Sequence, residues 1–209
     1  MIRVFLADDH PLVREGLHRI VRDESILRVV GEAADGFSLL QQLETTQVDV
    51  LLLDISMPGP GFLELMSRIQ SRYPDLKILI VSMHPEALYA ERALKAGARG
   101  YVSKRQSVEE LSRAIIRINS GGTYVSGGPE GPMRFDAAPA ESSQVATLST
   151  REFEILVQLA NGQGITQIAG ALSLSPKTVS TYRLRVLQKL GLETNADLVR
   201  FAIEHQLIS

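Results

Sequence analysis

Five residues of this chain have the types and positions to do chemistry together: Asp8, Asp9, Asp54, Ser82 and Lys104. Each follows a run of mainly apolar residues. Ile2 to Ala7 leads into Asp8 and Asp9, the run within VDVLLLDISMP (Val48 to Pro58) into Asp54, Leu76 to Val81 into Ser82, and Arg99 to Ser103 into Lys104. Such runs read as strands of a parallel sheet covered by helices on both faces. Ligands of open α/β sheets bind outside the carboxyl ends of the strands, so parallel pairing would gather three carboxylates, a hydroxyl and an ammonium around one small volume. Crowded carboxylates raise one another's pKa unless a cation enters. Mg2+ (or Mn2+) answers that need, with Asp9, Asp54 and a backbone carbonyl just past Asp54, that of Ser56, as oxygen ligands. The chemistry such a site supports is formation of an acyl phosphate. Asp54 is the nucleophile, the metal neutralises the incoming phosphoryl oxygens, and Lys104 pairs with the charge that develops. The competing use of the same five residues is structural, as capping acids and a salt-bridging lysine.

The elements that must position these groups run from Met1 to about Gly121, where strand-like runs alternate five times with segments of helical period. The helical segments are Pro11 to Val21, Phe37 to Leu43, Phe62 to Arg72, Glu86 to Ala96 and Val108 to Asn119. That alternation implies βαβ units, right-handed crossovers and a five-stranded parallel sheet. Residues 122–146 shift to Gly, Pro, Ala and Ser, a composition that buries too little apolar surface to order itself and reads as a flexible linker.

Residues 147–209 carry only helical signals. Ser149 with Glu152 predicts a capping box, Asn161-Gly162 a stop, and Ile165 to Leu172 a short helix. Ser175-Pro176 opens a helix to about Leu190, Gly191 closes it, and Asn195 to Glu204 forms the last. Four helices, a short one joined by a tight turn to a longer basic one, have the layout of a helix-turn-helix. Lys177, Arg183, Arg185 and Lys189 fall within an acid-free stretch of the third helix and suit phosphate contacts. Thr178, Ser180, Thr181 and Leu184 complete the candidate DNA-reading set, with Ser180, Thr181 and Leu184 placed for base edges. A solvated basic face is the plain alternative.

Composition narrows the rest. The chain has 209 residues, 44% hydrophobic and 22% charged, a net charge of −2 and no cysteine. Disulfides and thiolate metal sites are excluded, no apolar run approaches the roughly 20 residues of a membrane span, and the start shows no secretory pattern, so a cytoplasmic location is expected.

The motifs Asp8-Asp9, LLLDISMPG, VSMH at Val81 to His84 and GARGYVSK at Gly97 to Lys104 resemble those of two-component receiver domains. LSTREFEIL and ITQIAGALSLSPKTVSTYRLRVLQKLG resemble the NarL/FixJ, or LuxR-type, helix-turn-helix domain. The resemblance implies a doubly wound, flavodoxin-like α/β receiver over residues 1–121 and an all-α DNA-binding domain over 147–209. It makes Asp54 the phosphoacceptor, Asp8 and Asp9 the acidic metal pocket, Ser82 the switch hydroxyl, Tyr101 the switch aromatic and Lys104 the phosphate-contacting lysine. It further implies a sensor histidine kinase or phosphotransfer protein as donor, double-stranded promoter DNA as target, and an active homodimer formed through Leu198, Val199, Ala202 and Ile203. Two positions depart from the family pattern: Phe62 stands where glycine is usual, with Gly61 one residue early, and Arg105 stands where proline is common.

Other functions fit less well. A dehalogenase-type phosphatase needs a second acid two residues after its nucleophile, where this chain has Ser56, and a dinucleotide binder needs a Gly-rich loop where it has Asp8-Asp9-His10-Pro11. A regulator whose receiver dimerises without phosphate is the closest competitor.

Overall fold

The computed structural model describes residues 1–83, 86–126, 144–172, 174–205 and 207–208, and the chain divides into two compact units, Met1–Met133 and Arg134–Ser209. In the first, the apolar runs form β1 (Ile2–Ala7), β2 (Leu27–Ala33), β3 (Val50–Leu53), β4 (Lys77–Ser82) and β5 (Gly100–Ser103). They alternate with α1 (Pro11–Asp23), α2 (Gly36–Leu43), α3 (Phe62–Arg72), α4 (Glu86–Lys95) and α5 (Val108–Asn119). His84 of the VSMH motif lies outside the described residues.

Every strand pairing among the described residues is parallel. Side chains alternate across the sheet. Val4, Leu6, Val50, Leu52, Leu79, Val81 and Val102 form one core with Leu17 and Val21 of α1 and Leu111, Ala114, Ile115 and Ile118 of α5. Phe5, Leu51, Leu53, Ile78, Ile80 and Tyr101 alternate onto the opposite face and are equally buried. Each buried Leu or Ile contributes about 1.5–3 kcal/mol, so β3, with all four residues buried, is a rigid support for Asp54.

Among the described residues the sheet has six strands, not five, in the order β2-β1-β3-β4-β5-β6. The sixth, β6 (Tyr124–Val125), falls within the stretch expected to be linker. Its residues are held by specific bonds that composition conceals: Arg117 Nε donates to the Thr123 carbonyl at 2.8 Å, the Tyr124 hydroxyl donates to Glu110 Oε1 at 2.9 Å, and Val125 is buried. At the other end of that stretch, Gln144–Thr147 form a 3-10 turn. Residues 127–143, the body of the expected linker, lie outside the described residues.

The second unit contains α6 (Thr150–Ala160), α7 (Ile165–Ala171), α8 (Pro176–Leu190) and α9 (Asn195–Glu204). The Ser149–Glu152 capping box is present in both directions, and α8 starts on Ser175-Pro176 and stops at Gly191, as read from the sequence. Helix α6 packs on α8 and α9, and α7 on α8, around Phe153, Leu156, Ile168, Val179, Val186, Leu198 and Ala202.

Candidate acidic site and nucleic-acid interface

Asp8, Asp54 and Lys104 meet at the carboxyl edge of the sheet in the first unit, each carried by backbone still in the hydrogen-bond ladder. The Asp8 N–H donates to the Ala33 carbonyl at 3.1 Å, that of Asp54 to Ala7 at 2.8 Å, and that of Lys104 to Ser82 at 2.8 Å. Lys104 Nζ then lies 2.8 Å from Asp54 Oδ2 and 2.6 Å from Asp8 Oδ2, with all three side chains nearly buried. Burial, helped by the neighbouring Asp8 charge, pushes the Asp54 carboxyl up despite Lys104. Burial opposes the Lys104 ammonium, but the Asp54 and Asp8 carboxylates overcome it and hold its pKa above the usual value. Ser82 closes β4 fully buried.

Asp9 is partly exposed, and its Oδ1 lies 2.7 Å from His10 Nδ1. One ligand atom from each of Asp8, Asp9, His10 and Asp54 falls within 4.8 Å of the others. Three carboxylates against the Lys104 ammonium leave two negative charges, and the carboxylate donors are hard oxygens, so these three residues fit a hydrated divalent cation of the Mg2+ type. The Ser56 N–H donates to Asp54 Oδ1 at 3.3 Å, which keeps that residue beside the pocket.

Two contributors escaped the sequence reading. His10 joins the cluster, its N–H donating to Asp8 Oδ1 at 2.9 Å, and Arg14 donates to the Asp8 carbonyl at 2.7 Å. Adjacency to Asp8-Asp9 and a one-turn spacing along α1 were the available signals. Tyr101, the expected switch aromatic, is fully buried in β5. At the first departure, Phe62 is the buried first residue of α3, and the positive φ of 122° falls on Gly59 instead. A Cβ at Gly59 would come within 3.0 Å of the Gly36 nitrogen, which donates to the Pro58 carbonyl at 2.8 Å, so the loop after Asp54 is docked on the start of α2. At the second, no peptide bond among the described residues is cis.

On α8, Val179, Val186, Leu187 and Leu190 face the core, while Lys177, Thr181, Leu184 and Arg185 are exposed and Thr178, Ser180 and Arg183 are partly so. Leu184 is 54% exposed, so packing does not account for it. The Arg185 guanidinium lies 5.7 Å from the Tyr182 ring centre. Two expected phosphate contacts are otherwise engaged. Lys189 Nζ pairs with Glu152 Oε2 at 2.7 Å and donates to the Thr147 carbonyl at 3.2 Å, and Arg183 Nε donates to Asn195 Oδ1 at 2.6 Å. Thr178 and Ser175 share a hydroxyl bond at the N-cap, and Ser180 and Thr181 donate to the Pro176 and Lys177 carbonyls. The expected dimer quartet on α9 divides: Leu198 and Ala202 are wholly buried in their own domain, whereas Ile203 is exposed and Val199 partly so.

A parallel sheet with a carboxylate-and-lysine edge, carried on the same chain as a helix-turn-helix, defines a receiver joined to an output domain. The chain belongs to the response regulators: residues 4–116 match the response regulator receiver domain and residues 146–202 the bacterial regulatory proteins of the luxR family. It is 38% identical to Response regulator UvrY of Escherichia coli K12 across 99% of this chain and 96% of that one. Response regulator GacA of Pseudomonas aeruginosa is 35% identical across 100% and 98%. Among solved structures, the RcsB response regulator of Salmonella typhimurium superimposes with a TM-score of 0.79 at 28% identity, covering 96% of each chain. RcsB bound to promoter rprA in the presence of the phosphomimetic BeF3− gives 0.76 at 28%, covering 96% of this chain and 98% of that one.

Proposed function

We propose that Asp54 accepts a phosphoryl group from a sensor histidine kinase or phosphotransfer protein, and that this event controls promoter binding by a homodimer. The observation that carries the reading is Lys104 Nζ spanning Asp54 and Asp8 at 2.8 and 2.6 Å beside a residual charge of two. An Asp54 oxygen attacks the phosphorus of a phosphohistidine; the O–P bond forms as the N–P bond breaks, and the electron pair stays on the donor imidazole. Lys104, already beside that carboxylate, neutralises charge gathering on the phosphoryl oxygens. Asp8, Asp9, Asp54 and the Ser56 carbonyl would hold Mg2+ or Mn2+, which when bound adds further neutralisation of those oxygens. Ser82 then binds a phosphoryl oxygen, and Tyr101 repacks in response.

The output is recognition of double-stranded DNA by α8. Lys177 and Arg185 contact phosphates, and Thr181 and Leu184 face base edges, Leu184 against a thymine methyl. Thr178 and Ser180 are secondary contacts, and Arg183 and Lys189 serve mainly to hold the domain together. Promoter binding by RcsB with a phosphomimetic supports coupling the two events. The reading puts the protein in the cytoplasm, and no described helix is long and apolar enough to cross a membrane.

Intact mass after incubation with Mg2+ and acetyl phosphate tests it, with size exclusion and promoter binding on the same samples. One added phosphoryl group, absent from Asp54→Asn and accompanied by dimer formation and tighter promoter binding, is the expected result. Equal promoter binding by the treated parent and Asp54→Asn would instead leave a receiver that dimerises without phosphate.

A further inference from the structure

Strand β6 ends at Val125, yet the residue after it stays bound to β5. The Ser126 N–H donates to the Tyr101 carbonyl at 3.2 Å. Were the parallel ladder to continue, the Ser103 N–H would donate to the carbonyl of residue 126. Instead the Ser126 hydroxyl accepts that bond, at 3.4 Å. Ser126 is 2% exposed, so this is a buried polar contact and not a surface accident.

The bond falls one residue before Lys104. On the opposite side of β5, the Lys104 N–H donates to the Ser82 carbonyl at 2.8 Å, and Ser82 and Ser103 are paired across β4 and β5. Ser82, Ser103 and Ser126 therefore form a row along the carboxyl edge, from the acidic site to the chain that leaves the receiver. Gly100 makes the approach of β6 possible, since a Cβ there would meet the Tyr124 carbonyl at 2.7 Å. The end of β5 is thus gripped from both sides just where it releases Lys104.

We propose that Ser126 is a positioning residue for Lys104: its hydroxyl fixes Ser103, and with it the direction from which the Lys104 ammonium reaches Asp54 and Asp8. This rests on the reading of Asp54 as phosphoacceptor. The receiver's working part then extends past Gly121 into the start of the segment that leads to the output domain.

The test compares the full chain with Ser126→Ala, Ser126→Thr and Tyr124→Phe. Amide hydrogen exchange is followed over Ser103 to Arg105 without phosphodonor, and phosphoryl uptake from acetyl phosphate by intact mass at saturating Mg2+. Ser126→Ala should speed Ser103 exchange about tenfold and slow uptake about fivefold, at unchanged half-saturating acetyl phosphate. Ser126→Thr, which keeps the hydroxyl, should restore both. Tyr124→Phe loses the Glu110 bond but keeps the grip on Ser103, and should stay within about twofold of the parent in uptake. Unchanged exchange at Ser103 in Ser126→Ala would overturn the proposal, as would faster exchange with unchanged uptake, or equal slowing in Tyr124→Phe. A parent that takes up no phosphoryl group on Asp54 would sink the phosphoacceptor reading and this proposal together; a phosphorylated parent matched by Ser126→Ala sinks this one alone.

Discussion

Lys189 Nζ lies 2.7 Å from Glu152 Oε2 and so joins the last turn of α8 to the first turn of α6. Glu152 is 4% exposed and also accepts from the Ser149 N–H at 2.7 Å as part of the capping box. Burial opposes its charge, but Lys189 and the Ser149 cap outweigh burial and hold the carboxyl below its ordinary range. A depressed carboxylate gives stability that is present above the unfolded value, near 4.5, and lost as pH falls through the folded one. Lys189→Ala should cost the output domain about 1 kcal/mol at pH 7, a figure that allows for solvent around the part-exposed ammonium. The difference from the parent should shrink below pH 4.5. Urea unfolding at pH 7 and pH 4 checks this; a difference independent of pH would show that Glu152 is not the linked group.

The acidic site predicts the opposite sign for Asp54. Two buried carboxylates share one ammonium, so removing the Asp54 charge leaves the balanced pair Asp8–Lys104. Because its pKa is raised, the folded chain holds the Asp54 proton more tightly than the unfolded one, and this contribution is lost as pH rises from the ordinary value of 3.8 through the folded one. With divalent cations chelated, Asp54→Asn should be more stable than the parent by about 1 kcal/mol at pH 7, the gap closing toward pH 4. Added Mg2+ should reverse the order, since a ligand at 100 times its Kd contributes about 2.7 kcal/mol to the chain that binds it. Thermal unfolding with EDTA and with Mg2+ measures both arms. A parent insensitive to Mg2+ would argue against a metal pocket.

These two sites differ in how much the sequence discloses. Strand placement was legible because apolar runs ending in Asp, Ser or Lys carry both the burial signal and the chemistry, and parallel pairing makes the gathering of Asp8, Asp54 and Lys104 a geometric consequence. The helix caps were legible because Ser149, Ser175-Pro176 and Gly191 act within a turn of themselves. What stayed hidden depends on distant partners. Strand β6 has two residues, lies in a Gly- and Ser-rich stretch, and is reached from α5, which packs on the α1 face. The step from β5 to β6 runs the opposite way along the sheet from the step from β1 to β2 with its helix on the same face, so the two differ in hand, against the rule that guides topology from sequence. Lys189 and Arg183 looked like exposed cations because Glu152 and Asn195 lie 37 and 12 residues away. On α9 the helical period shows an apolar face without saying which half its own domain consumes.

The same distinction among cations predicts the salt dependence of DNA binding. Lys177 and Arg185 are exposed on the outward side of α8, so each should release counterions on contact with phosphate. Replacing either with Ala should weaken binding similarly for all sequences and lower the slope of log affinity against log salt by about one. Lys189→Ala should leave the slope unchanged, because its ammonium is engaged with Glu152 and Thr147. Fluorescence anisotropy between 50 and 200 mM salt, an interval over which about 6–10 phosphate contacts cost 10³–10⁵ in affinity, resolves differences of this size. A reduced slope for Lys189→Ala would mean that its ion pair opens on DNA.

On α9 the residues separate cleanly enough to test dimerisation apart from folding. Leu198 is fully buried, and Leu198→Ala should cost about 2–5 kcal/mol through lost packing and the cavity left behind. Ile203 is 58% exposed, and Val199 precedes it by one turn and is partly exposed, so the two form a small apolar strip pointing away from the domain. Ile203→Glu removes nothing from the core and should change unfolding by no more than about 0.5 kcal/mol. Placed against its own image in a two-fold interface, the new carboxylate meets a like charge and a desolvation penalty. The expected result is a phosphorylated Ile203→Glu chain that folds as the parent does but stays monomeric at concentrations where the parent dimerises, read by sedimentation velocity. Dimerisation equal to the parent would move the interface off α9, to surfaces of the receiver.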